Sequence, residues 1–143
     1  MKKILMCGAL IVVMFTATGC GRETLSCTLT KEQTGVKMEQ QVEAYFENNN
    51  VTSMNTTIDM TLNDTYAKNI DTVKQTLEKE YKTYKENGGT VSVSSKDNTI
   101  TIKMDFNLEK MTDAQKKKLN MIDTKGTKDA TAKSLEKQGY TCK

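Results

Sequence analysis

Over residues 36 to 62 the side chains alternate with a period of two, and this pattern restricts the available folds more than any other feature. Val36, Met38, Val42, Ala44 and Phe46 take even positions, with Gln40 the only polar interruption. Lys37, Glu39, Gln41, Glu43, Tyr45 and Glu47 take the odd ones. Such alternation describes a half-buried strand with one wet face. Asn48-Asn49-Asn50 follows, and asparagine tolerates the left-handed backbone of a tight turn. Met54, Thr56, Ile58, Met60 and Leu62 then alternate with Ser53, Asn55, Thr57, Asp59 and Thr61. The two segments read as one long antiparallel hairpin.

The period then changes. Tyr66, Ile70, Val73, Leu77, Tyr81 and Tyr84 recur at steps of three and four, one apolar stripe on a helix of about twenty residues. Asn63, Asp64 or Thr65 caps its start, and Asn87-Gly88-Gly89 supplies its stop. Lys74, Glu78, Lys82 and Glu86 form an i, i+4 ladder on the solvent side. Val91 and Val93 point inward from a further strand, and Lys96-Asp97-Asn98 turns the chain into Ile100, Ile102, Met104 and Phe106. Before the hairpin, Leu25, Cys27 and Leu29 alternate with Ser26, Thr28 and Thr30, a short first strand closed by a turn at Lys31 to Gly35.

The C-terminal third is helical in weaker form. Thr112 or Asp113 begins one short helix reaching about Met121, and Thr127 or Asp129 another reaching Lys137 before Gly139. The expected fold is therefore α+β: an antiparallel sheet of four or five strands, with one long amphipathic helix and short C-terminal helices on one face.

The N-terminus carries an address. Lys2 and Lys3 precede an apolar run from Ile4 to Phe15, too short for a mature membrane span, and small residues lead into Cys20. Thr16-Ala-Thr-Gly-Cys-Gly21 resembles a bacterial lipoprotein signal, which implies cleavage before Cys20 and a diacylglycerol thioether on its sulfur. An ordinary signal peptide with an incidental cysteine is the alternative. The expected organisation is a signal peptide at 1–19, a lipidated tether at 20–26 and one α+β domain at 27–143. The expected location is the extracytoplasmic side of the cell membrane, held by lipid.

Removing Lys2 and Lys3 from the 21 basic residues leaves 19 against 18 acidic, a net of +1. A balanced surface gives no reason to expect a nucleic acid partner. Cys7 departs with the signal and Cys20 is claimed by lipid, which leaves Cys27 and Cys142 in an oxidising compartment. A bridge between them closes a loop worth at most about 4 to 5 kcal/mol in the chain-entropy model. Two unbridged thiols are the other reading.

The residue inventory offers little chemistry. Without histidine there is no histidine base, triad or facial metal set. Two cysteines make no ordinary zinc site, and the Gly88-Gly89 pair closes a helix where a phosphate loop opens one. No calcium-loop pattern fits Asp97-Asn98 or Asp123. Asn50, Asn55 and Asn63 each begin an N-glycosylation sequon, which in a bacterial lipoprotein reads as threonine-rich strand and turn. Glu39, Glu43 and Glu47 share one strand face and read as solvated charges before catalytic ones. Lys116-Lys117-Lys118 reads as the wet side of a helix, with lipid headgroups the alternative. Tyr66, Tyr81 and Tyr84 read as core before binding stripe. No catalytic residue, metal ligand or cofactor is assigned.

Taken together, the lipobox, the polar hairpin, the Tyr-bearing helix and the second hairpin resemble the small YehR-like (DUF1307) lipoproteins. The likeness spans about residues 27 to 110, carried mostly by Thr57 to Leu62 and Tyr81 to Val93. It implies an envelope location and this fold, and transfers no functional residue. The expected role is non-enzymatic: a tethered module binding an exported protein or peptide. An apolar-ligand carrier would instead need a cavity lined by Met38, Met60, Ile70 and Met104. An envelope hydrolase accessory would need clustered acids in a deep pocket.

Overall fold

Alternation, turn chemistry and one change of period account for nearly every element of the computed structural model, which describes residues 22–121 and 126–143. The strands are β1 (Arg22–Gln33), β2 (Val36–Glu47) and β3 (Asn50–Leu62). Three helical segments follow, α1 (Asp64–Ala67), α2 (Ile70–Glu80) and α3 (Lys82–Glu86), and then β4 (Gly89–Lys96) and β5 (Thr99–Asn107). The chain closes with α4 (Asp113–Lys118), α5 (Lys128–Glu136) and β6 (Thr141–Cys142). The class is α+β, and all strands join one antiparallel sheet of six in the order β4-β5-β3-β2-β1-β6.

The turns follow the residues. Asn48 and Asn49 both adopt positive φ (51° and 61°), which joins β2 to β3 with a turn whose twist matches the strands. One register shift lies between Tyr45 and Phe46, where Thr52 Oγ1 donates to the Tyr45 carbonyl at 3.2 Å. Opposed residues place Leu25, Ala44, Met54 and Phe106 in one row, and Cys27, Val42, Thr56 and Met104 in the next. That face forms the core, in which Cys27, Ile100 and Ile102 have no solvent exposure.

Tertiary packing corrects the expectations in four places. The sheet has six strands, because Thr141–Cys142 pairs with Cys27 and Thr28 as β6; a two-residue strand leaves no alternation to read. Cys142 therefore lies on a strand, directly opposite Cys27. Pairing of β1 with β2 runs from Arg22 to Gln33, so the first strand reaches back into the segment expected as tether. The single helix of twenty residues is three segments. Asn69, at φ −117° and ψ 25°, separates α1 from α2, and Tyr81 at ψ −3° bends α2 into α3. Tyr66 leaves the stripe and is 45% exposed, on the opposite side of the first break from Ile70. Its ring lies over Gly35, where a β-carbon would come within 2.7 Å of Tyr66 Cε2.

Helix starts match the caps. Asn63 Oδ1 accepts from the Thr65 and Tyr66 amides, Thr112 and Gln115 form a capping box, and Thr127 Oγ1 accepts from the Ala130 amide. Helices α2 and α3 pack over β4, and α5 packs over β1 and β6, on the apolar side. The segment expected as a lipoprotein signal (1–19) and Cys20 lie outside the described residues.

Candidate groove between the bent helix and the sheet edge

Two sides of the sheet end differently. At one edge β6 covers the middle of β1: Ser26 and Lys143 exchange backbone bonds at 3.3 and 2.9 Å, and the Cys27–Cys142 disulfide ties the strands across 115 residues. At the other edge β4 has β5 on one side and, among the described residues, no strand on the other. The register of β4 is unbroken from Gly89–Phe106 to Lys96–Thr99. No bulge, proline or charged side chain blunts it between Gly89 and Ser95, although natural edges ordinarily carry such devices.

The helix above this edge makes a groove. Leu77, Tyr81 and Tyr84 turn the apolar side of α2 and α3 onto the sheet. Tyr81 and Tyr84 lie 5.4 Å apart between ring centroids, and Tyr84 stands 6.1 Å from Phe106 in the core. Gly89 lets α3 come down onto the strand, since a β-carbon there would meet the Phe106 ring and lie 3.0 Å from the Tyr84 carbonyl oxygen. The resulting groove holds about 580 Å³, with Tyr81, Val91 and Val93 as floor and Glu78, Lys82, Lys85 and Glu86 as rim. Lys74 pairs with Glu78 (3.6 Å) and Lys82 with Glu86 (3.3 Å), the i, i+4 ladder seen in the sequence. Lys85 has no carboxylate within ion-pair reach among the described residues. Burial pushes the Tyr81 hydroxyl above its ordinary range, reinforced by Tyr84 and Glu80.

The wet face of the sheet is spread out and self-satisfied. Glu39 pairs with Lys37 at 2.7 Å, and this contact raises the lysine's pKa. Glu43 accepts from Gln41 (3.2 Å) and from the Tyr45 hydroxyl (3.1 Å), while Glu47 meets Arg22 at 3.7 Å. Burial, and then the Glu43 charge, push the Tyr45 hydroxyl up. Thr101 donates to Asp59 at 2.6 Å. The three glutamates thus share a strand face, each with its own surface partner. Among the described residues no three acidic or cysteine side chains gather as a metal site would require.

An apolar cavity of about 20 Å³ lies under α5, between Val42, Ala44, Val51, Met54 and Leu135. Met38, Met60, Ile70 and Met104 do not line it. Lys116 instead borders a hollow of about 320 Å³ beside the Asn48–Asn50 turn, with a mixed lining that includes Val51 and Leu108. Cys27 and Cys142 are brought together as a disulfide, while the groove passed unread in the sequence. Its available signal was the uncharged run from Gly89 to Ser95 beside a helix ending in Tyr81 and Tyr84.

No family model matches the chain. No curated protein matches it either. Among solved structures it is similar to an NMR structure of a protein from Streptococcus pneumoniae TIGR4. The TM-score is 0.58 at 15% identity, covering 100% of this chain and 97% of that one. The shared feature is the fold.

Proposed function

We propose that this chain is a lipid-anchored extracytoplasmic protein that binds an exported partner and performs no chemistry of its own. The observation carrying the reading is the groove of about 580 Å³ above an open strand edge, with an apolar floor and a charged rim. Its contents are those of a contact surface: two valines, a tyrosine and four charges. The acids of the wet face are held by surface partners, and the 20 Å³ apolar cavity is too small for a lipid-like ligand, which favours this reading over the hydrolase accessory and the apolar carrier.

The anchor is Cys20, supported by the lipobox-like Thr16 to Gly21. Two acyl chains hold a protein on a membrane where one holds it marginally. The first described residue of β1 is Arg22, so only Gly21 stands between Cys20 and the described strand, two backbone steps that span about 7 Å at most. The end of the sheet bearing Arg22, Glu47 and the Asn48–Asn49 turn then meets the headgroups. The β4 edge lies four strand spacings from β1, about 19 Å to the side, and stays accessible. Kinship with the YehR-like lipoproteins is part of this proposal and rests on the sequence resemblance alone.

The test is chemical crosslinking in intact cells with the lipidated chain, followed by purification and mass measurement. Recovery of one discrete exported protein, abolished by Cys20→Ser through loss of membrane location, is the expected result. No adduct at any crosslinker length, together with turnover of an envelope substrate, overturns the reading.

A further inference from the structure

We infer that the β4 edge takes an extended peptide segment of its partner as a seventh strand, with the segment's inward side chains seated in the groove beneath α2 and α3. This rests on the binding reading above and names its ligand chemistry: an exposed, unstructured segment with apolar residues at alternate positions and a carboxylate that reaches Lys85.

Backbone geometry supplies the first reason. Lys96 and Thr99 pair across a two-residue turn, which makes them a hydrogen-bonded pair, and antiparallel ladders alternate from there. Thr90, Ser92, Ser94 and Lys96 therefore exchange bonds with β5, while Val91, Val93 and Ser95 turn both N–H and C=O away from the sheet. A strand laid alongside satisfies all three residues. The same Val91 and Val93 carry the side chains of the groove floor, so one row of residues presents backbone bonds outward and an apolar surface toward the helix. Strand addition at a sheet edge beside a helix uses this pairing of main-chain bonds for affinity and alternate side-chain pockets for choice of sequence.

Charge supplies the second. Glu78 and Glu86 are each held by a lysine, and Lys85 is left on the rim. A peptide carboxylate complements it. A second copy pairing through its own β4 brings another Lys85 instead, and so fits less well.

The probe is a display library of random twelve-residue linear peptides, selected on the full chain in detergent, with enriched peptides titrated by amide NMR. Enriched sequences should alternate apolar and polar residues and carry an acid. Binding should shift the amides of 89–96 and 78–86 and slow exchange at Val91, Val93 and Ser95. Val93→Pro removes an outward N–H and leaves the β5 ladder intact, and it should weaken binding about tenfold or more. Should that variant unfold, N-methylation of the peptide decides: alternate positions should lose binding by a similar factor and the intervening ones should not. No enriched peptide, shifts confined to the Glu39–Asp59 face, or equal tolerance of N-methylation at every position overturns the proposal. So does concentration-dependent dimerisation that protects the Val91, Val93 and Ser95 amides without peptide. A crosslinked partner in cells alongside any of these leaves the binding function standing and removes only the strand-addition mode.

Discussion

Lys96 and Thr99 face each other across the Asp97-Asn98 turn, and this one pairing decides which backbone groups of β4 belong to the sheet and which face outward. Asp97 enters the turn at φ +54°, and the Leu62 amide bonds the Asn98 carbonyl at 2.9 Å, so the turn is fastened to the end of β3. The register of the outer strand is thereby set from the middle of the sheet.

Hydrogen exchange should reveal that register. In the unbound chain the amides of Val91, Val93 and Ser95 should exchange at rates near those of an unprotected peptide, while those of Ser92 and Ser94 should be protected. Amide-resolved exchange by NMR checks it. Uniform protection from Val91 to Ser95 contradicts the open edge.

Gly89 sets the distance between α3 and the strand. Gly89→Ala drives a methyl group into Phe106 and toward the Tyr84 carbonyl, where no flexible side chain can yield. A loss of about 1 to 3 kcal/mol is expected from such overpacking. Urea unfolding measures it, and an unchanged midpoint contradicts the close packing.

Removing the disulfide tests the other edge. The paired changes Cys27→Ser and Cys142→Ser leave a two-residue strand held by its short pairing with β1, the Ser26–Lys143 bonds and the contacts of α5. Stability should fall by about 2 to 5 kcal/mol, read as a lowered denaturant midpoint. Amide signals of β6 should broaden first.

Alkaline pH should weaken the groove. The folded Tyr81 hydroxyl titrates above its unfolded value of 10.0, chiefly because it is buried. Its contribution is therefore complete below about pH 10 and is lost as pH rises through the higher folded value. Tyr45 and Tyr140 are raised as well, so Tyr81→Phe should flatten the decline only in part. Urea midpoints measured across this range check the sign, and a steeper decline in the variant contradicts it.

What was legible in the sequence followed period and capping. Alternation in 36–47, 53–62 and 99–106 reappears as β2, β3 and β5 because a sheet with one wet face preserves its period. Thr112 and Thr127 cap as their side chains require. The helix breaks at Asn69 and Tyr81 were hidden because the apolar stripe runs through both at unbroken spacing. Strand β6 was hidden because its two residues form a strand only through long-range pairing with β1. The groove was hidden for a related reason: Val91 and Val93 resemble any inward pair, and only sheet order reveals that, among the described residues, no strand lies beyond them.

The most direct test of the binding site is photocrosslinking in intact cells, with a photoreactive residue at position 94 beside the β4 edge or at position 41 on the wet face. Both side chains are exposed, and three strand spacings separate their strands. Position 94 should capture the partner and position 41 should not. Capture at position 41 alone contradicts the edge as the site.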